Sequence, residues 1–207
     1  MPSSAIDLAG NHGLEAVSMR RIAAELGVTA PSLYWYVRSK NELYELMADA
    51  VVGEVALPKR PSGDWRRNLR SIARATRETL RTHSWYAQIG IQPMLGPNTQ
   101  RYAAEASATL RSLGRTFAEE AEILAALNNY IVGFVHREHA WHEVIRRSGL
   151  TAAEWTRQLN GLVAETAATR PELAEQMHAR IDLHSDASFD FGLDCLIDGI
   201  AARAGAR

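Results

Sequence analysis

Residues 18–40 read Ser-Met-Arg-Arg-Ile-Ala-Ala-Glu-Leu-Gly-Val-Thr-Ala-Pro-Ser-Leu-Tyr-Trp-Tyr-Val-Arg-Ser-Lys, and their punctuation decides the fold. Ser18 is a helix-capping residue ahead of Met19 to Leu26, with Ile22, Ala23 and Leu26 on one face and Gly27 as the stop. Thr29 can cap the next helix, and Pro31 falls in its first turn, where its missing N–H is not needed. That helix is predicted to end near Val37, with Val28 and Leu33 spaced to pack inward against Ile22 and Leu26. Ser39-Lys40-Asn41-Glu42 has the form of a capping box and opens a longer helix through Leu43, Leu46, Met47, Ala50, Val51 and Glu54. A capped helix, a glycine turn and a second short helix together make a helix-turn-helix layout.

Three consecutive aromatic residues, Tyr34, Trp35 and Tyr36, fall on the second of these helices. Neighbouring helical positions point about 100° apart, so the three cannot all face one core. At least one is exposed, where a tyrosine can meet a phosphate, a sugar or a thymine methyl. Burial is the competing assignment for Tyr34 and Trp35, while Leu33 belongs to the core. Lys40 stands at the start of the following helix, where a cation opposes the helix dipole. Such a placement costs stability and suits a grip on phosphate.

Outward from this stretch the helical period continues almost everywhere, and no alternating run is long enough for a strand. The expected class is all-α. Residues 3–11 form a short first helix ending at Asn11-His12-Gly13. Two prolines and a glycine in Leu57-Pro58-Lys59-Arg60-Pro61-Ser62-Gly63 break the pattern. They divide the chain into a helix-turn-helix domain, 1–57, and a larger helical domain, 58–207. In the latter, Asp64 caps a helix with Trp65, Leu69, Ile72, Thr76 and Leu80 on one face and Arg66, Arg67, Arg70, Arg74, Arg77 and Arg81 on the other. The arginine face resembles a nucleic-acid patch by composition, but a solvated or salt-bridged face is the preferred reading. Gly90 to Pro97 is irregular, and Asn98 to Leu113 is helical up to Gly114. Residues 117–145 form the most apolar helix, with Ile123, Leu124, Leu127, Tyr130, Ile131, Val132, Phe134 and Val135 nearly encircling it. Such a helix has to be covered by its own domain or by a partner. Further helices run from Ala152 toward Thr169 and from Ala187 to Ala204, the last presenting Phe189, Leu193, Leu196, Ile197 and Ile200.

Composition narrows the function classes. The chain has 207 residues, 46% hydrophobic and 23% charged, enough for a real core. Its net charge of −1 gives no global pull toward nucleic acid or membrane. Residues 1–58 hold four basic against seven acidic residues, so any DNA attraction there rests on a few well-placed charges. Cys195 is the sole cysteine, which excludes an internal disulfide and any four-cysteine zinc site and suits a reducing cytoplasm. The start carries no signal peptide, and no apolar run approaches the roughly 18 residues needed to span a bilayer. A cytoplasmic protein with no membrane partner is expected.

The run Leu26-Gly27-Val28-Thr29-Ala30-Pro31-Ser32-Leu33-Tyr34-Trp35-Tyr36-Val37-Arg38-Ser39-Lys40 resembles the recognition-helix signature of the tetracycline-repressor (TetR) family of bacterial transcription regulators. A weaker run, Phe189-x-Phe191-Gly192-Leu193, resembles the last helix of its tetracycline-repressor-like subgroup. The resemblance implies an N-terminal DNA-reading domain on an all-helical ligand-binding and dimerisation domain. By residue match it puts Arg20, Thr29, Ala30, Pro31, Ser32, Tyr34, Trp35, Tyr36 and Lys40 at or near DNA. Residues 29–32 and Tyr36 would read bases, and Arg20, Tyr34 and Lys40 would hold phosphates. Family members carry several more residues and a basic arm ahead of the position of Ala5 that this sequence does not show.

The same resemblance implies a small-molecule inducer bound in the second domain. Members that bind tetracycline hold the drug with a His and an Asn and its magnesium with a His. The matching positions here are Ala56, Arg74 and Gln92, so tetracycline–magnesium is not the expected ligand and the inducer is of unknown identity. Candidate lining residues are Trp85, Tyr86, Gln92, Met94, Tyr102, Asn128, Asn129, Phe134, His136 and Trp141, a set suited to an apolar ligand with a few polar handles. Plain helix packing is the competing assignment for each.

His136, His139 and His142 recur every three residues, a spacing that drifts around a helix, so no metal or other cofactor is assigned. His142-Glu143-Val144-Ile145-Arg146 misses the HExxH pattern at its last position. Asp186, Asp190, Asp194 and Asp198 form a like-charged stripe that is either solvated or matched by arginines across an interface. No nucleophile elbow, phosphate loop or dinucleotide fingerprint is present, so an enzyme is not expected. The expected function is a ligand-responsive regulator, a repressor by its family, binding a palindromic operator as a homodimer and released by its inducer. A dimeric helical scaffold without DNA binding is the alternative.

Overall fold

The structure, a computed structural model, describes residues 1–58, 62–89, 95–173, 177 and 183–205. Among them there is no strand, and the all-α expectation holds. Helix α1 spans Pro2–His12 and α2 spans Met19–Glu25. Helix α3 is Ala30–Leu33, and α4 is Lys40–Gly53. They are followed by α5, Trp65–Thr82, and α6, Pro97–Leu110. The last three are α7, Phe117–Ser148, α8, Ala152–Thr169, and α9, Asp186–Gly205. The chain packs as two compact units, Met1–Val132 and Gly133–Arg207.

In the first unit the punctuation read from the sequence does most of what was expected. Ser18 caps α2 by accepting the Arg21 N–H at 3.3 Å, and Gly27 ends it at φ 67°. The end is a Schellman turn: the Val28 N–H donates to Ala23 O at 3.0 Å and the Gly27 N–H to Ala24 O at 3.3 Å. This closure corrects one expectation. Ile22, Ala23 and Leu33 are buried, but Leu26 and Val28 are exposed: the left-handed turn at Gly27 redirects Val28, while Leu26 lies outward on the last, still right-handed, turn of the helix.

Two capping expectations also change. Thr29 is the N-cap of α3 by backbone position, yet its side chain caps nothing; instead the Ser32 hydroxyl donates to Thr29 O at 2.6 Å. Ser39 accepts the Glu42 N–H at 3.1 Å as a cap should. The Glu42 carboxylate, however, accepts the Arg38 N–H at 2.6 Å, so the reciprocal half of the box closes one residue early. A complete capping box does occur at Thr151 and Glu154, at the start of α8, where the sequence was read only for its length.

Asp64 caps α5 through the Arg66 and Arg67 N–H groups at 2.9 and 3.4 Å. The apolar face of α5 is buried as read, through Trp65, Leu69, Ile72, Thr76 and Leu80. Arg77 departs from the arginine face: it is buried, because it shares a helix side with Ala73 and Leu80, which are also buried. Asn68 is buried too, and its side chain trades hydrogen bonds with Ser62, its Nδ2 donating to Ser62 O at 2.9 Å and its Oδ1 accepting the Ser62 N–H at 2.8 Å. The chain after the proline break is thereby fastened to α5.

The second unit is built from the end of α7 with α8 and α9. Val135, Val163, Phe189, Leu193 and Ile197 are buried, and Phe134 meets Phe189 edge-on at 5.1 Å between centroids. Trp141 sits edge-on to Trp155 at 6.1 Å and stacks on His184 at 4.9 Å. Burial, then the nearby Arg137 charge, push the His184 pKa down. Phe191 projects from α9 into solvent.

Candidate functional site

The turn between α2 and α4 carries the densest exposed aromatic surface among the described residues. Helix α3 is only four residues long, and hydrogen bonds from the Tyr36 and Val37 N–H groups to Leu33 O continue its curl to Val37. Leu33 and Val37 are buried and anchor the curl, with α3 packed on α2, where Ile22 and Ala23 are also buried. The residues between them have nowhere to go but outward. Tyr34 is 52% exposed, Trp35 88% and Tyr36 77%, so the core assignment for Tyr34 and Trp35 is overturned. Exposed Leu26 and Val28 extend the apolar character of the surface. A large aromatic surface left in water is a candidate binding surface, since burial would have been worth several kcal/mol per ring, roughly 25 cal/mol per Å².

The other residues predicted for this site flank the triplet. Thr29 and Pro31 are exposed, and Ala30 and Ser32 are half-buried. Arg20 is exposed in the first turn of α2. Lys40 is exposed at the first position of α4, with its ammonium 5.4 Å from the Tyr44 ring centroid. A cation resting on that ring is partly pre-placed. The arrangement presents hydroxyls and aromatic edges on one turn, with Arg20 and Lys40 on the helices either side, a set of groups suited to a duplex groove and its phosphates.

The residues predicted to line a ligand site divide. Trp85, Tyr86 and Tyr102 come together between α5 and α6. Trp85 is 1% exposed on the turn that follows α5, with His83 edge-on at 5.6 Å and the Tyr86 ring at 6.3 Å. The Tyr102 hydroxyl pairs with Thr76 Oγ1 at 3.0 Å. Burial pushes the Tyr86 pKa up to about 12, aided by Tyr102 and by the negative charge of Asp49. Burial also raises that of Tyr102 against the bond from Thr76. Both phenols therefore stay protonated and able to donate. The Trp85 Nε1 is buried with no hydrogen-bond partner. Three donors thus gather in one apolar cluster, one of them unsatisfied.

Asn128 and Asn129 are exposed on the first-unit part of α7. Phe134 and Trp141 are half-buried and His136 is exposed in the second unit. Gln92 and Met94 lie outside the described residues. Among the described residues no group of three or more His, Cys, Asp or Glu side chains is arranged to hold a metal ion, so His136, His139 and His142 do not form such a group. The arginine face of α5 forms an open groove lined by Asp64, Arg67, Arg70, Ser71 and Arg74. Asp49, which sequence reasoning did not single out, is buried at the junction of α4 and α6. Its only sequence signal is a carboxylate at a position where α4 otherwise carries Met47, Ala48, Val51 and Val52.

Comparison with known proteins finds two family models along the chain. Residues 3–47 match the family model "Bacterial regulatory proteins, tetR family", and residues 57–204 match "Tetracyclin repressor-like, C-terminal domain". The HTH-type transcriptional repressor DrrR1 of Streptomyces coeruleorubidus is 34% identical over 215 residues, covering 99% of this chain and 77% of that one. The tetracycline repressor protein class A from transposon 1721 of Escherichia coli is 28% identical, covering 97% and 88%. The crystal structure of the Streptomyces coelicolor TetR family protein ActR in complex with actinorhodin superposes with a TM-score of 0.80 at 30% identity, covering 99% and 96%. The exposed aromatic turn and the all-helical chain that carries it thus have one explanation: the chain belongs to the tetR family of bacterial regulatory proteins and is a transcriptional regulator, not an enzyme.

Proposed function

We propose that this regulator is a ligand-responsive repressor that binds a palindromic operator as a homodimer and is released by a small-molecule inducer. The single observation that carries the DNA-binding half is the exposed Tyr34-Trp35-Tyr36 surface on the turn pinned by Leu33 and Val37. Residues 29–32 and Tyr36 read base edges, while Arg20, Tyr34 and Lys40 hold phosphates; Trp35 packs on the groove wall. Two such heads in a symmetric dimer meet successive major grooves about 34–36 Å apart. Residues 1–57 form the DNA-reading domain and 58–207 the ligand-binding and dimerisation domain, a division supported by the limits of the two family models.

The ligand half rests on the cluster of Trp85, Tyr86 and Tyr102, with the actinorhodin complex of ActR as support. The ligand is an apolar, aromatic compound with acceptor oxygens, because the cluster holds an unpaired buried donor, Trp85 Nε1, beside the Tyr86 and Tyr102 phenols. Tetracycline–magnesium is disfavoured by Ala56, Arg74 and Gln92 at the positions that would hold it. A cytoplasmic location fits a DNA-binding regulator in which no helix, among the described residues, is long and apolar enough to cross a membrane. Selection from random duplexes at low ionic strength tests the proposal: an inverted repeat should be enriched. Recovery of no preferred duplex would leave a helical scaffold that does not read DNA.

A further inference from the structure

Helix α6 begins Gly96-Pro97-Asn98-Thr99, and its N-cap, Gly96, has no side chain to receive the free N–H groups of the first turn. The missing cap comes from another helix. Asp49 of α4, 9% exposed, points its carboxylate at the start of α6. Its Oδ1 accepts the Thr99 N–H at 2.8 Å and the Thr99 hydroxyl at 3.0 Å. Its Oδ2 accepts the Asn98 side-chain amide at 3.1 Å and the Asn98 N–H at 3.4 Å. A carboxylate at the positive end of a helix dipole, bonded to N2 and N3, is what a local Asp cap would provide.

The backbone around this contact is shaped to it. A Cβ on Gly96 would lie 2.2 Å from the Asp49 carboxyl group, and one on Gly53 would lie 2.9 Å from the Asn98 side chain. The far end of α4 is answered in turn, because Arg101 Nη2 of α6 donates to Gly53 O at 3.3 Å. Each helix thus supplies a terminal partner for the other. Directional bonds to helix ends fix both register and angle, which an apolar contact between smooth faces does not. Tyr102 follows Thr99 by one turn of α6, about 5 Å along the axis, and is bonded to Thr76 of α5. One helix therefore carries the Asp49 contact and a member of the ligand cluster.

We infer that Asp49 is a positioning residue, which by capping α6 from α4 sets the angle of the DNA-reading head and passes movement of α6 at Tyr102 to residues 29–36. This rests on the proposed DNA-binding function. The test uses the full chain and the duplex enriched by the wild type as probe, with Asp49→Ala, Gly96→Ala and Asp49→Asn. Hydrogen exchange at the Asn98 and Thr99 amides, with and without duplex, reads the coupling; duplex affinity is read well below the melting temperature. In the wild type, duplex should slow exchange at these amides. Asp49→Ala and Gly96→Ala should lose that response and bind duplex about tenfold or more weakly while remaining dimeric. Asp49→Asn, whose carbonyl oxygen still accepts the Thr99 N–H, should keep affinity within about threefold of the wild type.

If Asp49→Ala melts earlier yet binds duplex with wild-type affinity and keeps the exchange response, the cap is only structural and the inference fails. Should Asp49→Ala not fold, Gly96→Ala keeps the carboxylate and denies only its approach, and the same two outcomes apply to it. A wild type that enriches no duplex would instead bring down the DNA-binding function itself, and this role with it.

Discussion

The two aromatic regions of the first unit are made of the same side chains and end in opposite places. Trp35 is 88% exposed between two tyrosines, while Trp85 is 1% exposed beside Tyr86 and near Tyr102. The first triplet is the turn that follows a four-residue helix, held between buried Leu33 and buried Val37. The second lies on the turn after α5, an eighteen-residue helix whose buried face runs through Leu80 to that turn. Residue type does not decide burial here; the flanking element does. One region leaves its aromatic surface in water, and the other encloses an unpaired donor, Trp85 Nε1; the proposed function gives the first to DNA and the second to a ligand.

Replacing each tryptophan by alanine should expose this contrast most strongly. Trp85→Ala should cost about 3–5 kcal/mol of stability in denaturant melts, the penalty for emptying a large core site. Trp35→Ala should leave stability within about 0.5 kcal/mol of the wild type. Equal losses from the two would erase the distinction.

The next effect is on pH. The Tyr86 pKa is raised in the folded chain to about 12 from an ordinary 10. The folded state therefore holds this proton more tightly, and its contribution is complete below pH 10. It is lost as pH climbs from 10 to 12, in an amount of about 2 kcal/mol. Urea melts across that range should show the decline in the wild type and a shallower one in Tyr86→Phe.

Backbone geometry separates the regions at a smaller scale. Gly27 holds φ 67° with open space where a Cβ would stand, so Gly27→Ala should cost about 1 kcal/mol from conformation alone. Smaller again is the ionic effect: Lys40→Ala should lower the slope of log affinity against log salt by about 1 per head, with little change in melting.

The recognition turn was legible because its signals are local. Ser18, Gly27, Pro31 and Ser39 each act within a turn of themselves, and the argument that three adjacent aromatics cannot share one core needs only helix geometry. Val28 was misread because a helical projection ends where Gly27 turns left-handed, and Leu26, still helical, is exposed on the last turn before it. Arg77 was misread because a stripe of like residues conceals one that falls on the buried side. Asp49 could not be found at all: its partners, Asn98 and Thr99, lie about fifty residues away, and nothing in the local pattern of α4 announces a cap for another helix. The ligand cluster was half legible, since Trp85, Tyr86 and Tyr102 converge while Asn128, Asn129 and His136 stay exposed.

The measurement that bears most directly on the DNA-reading surface is the affinity of Tyr36→Ala for the duplex enriched by the wild type, with dimer mass and melting temperature read on the same samples. The predicted result is a loss of about 10- to 100-fold in affinity, on the order of one base contact per head, with dimer and melting unchanged. Unchanged affinity, or a loss that merely follows unfolding or dissociation of the dimer, would contradict it.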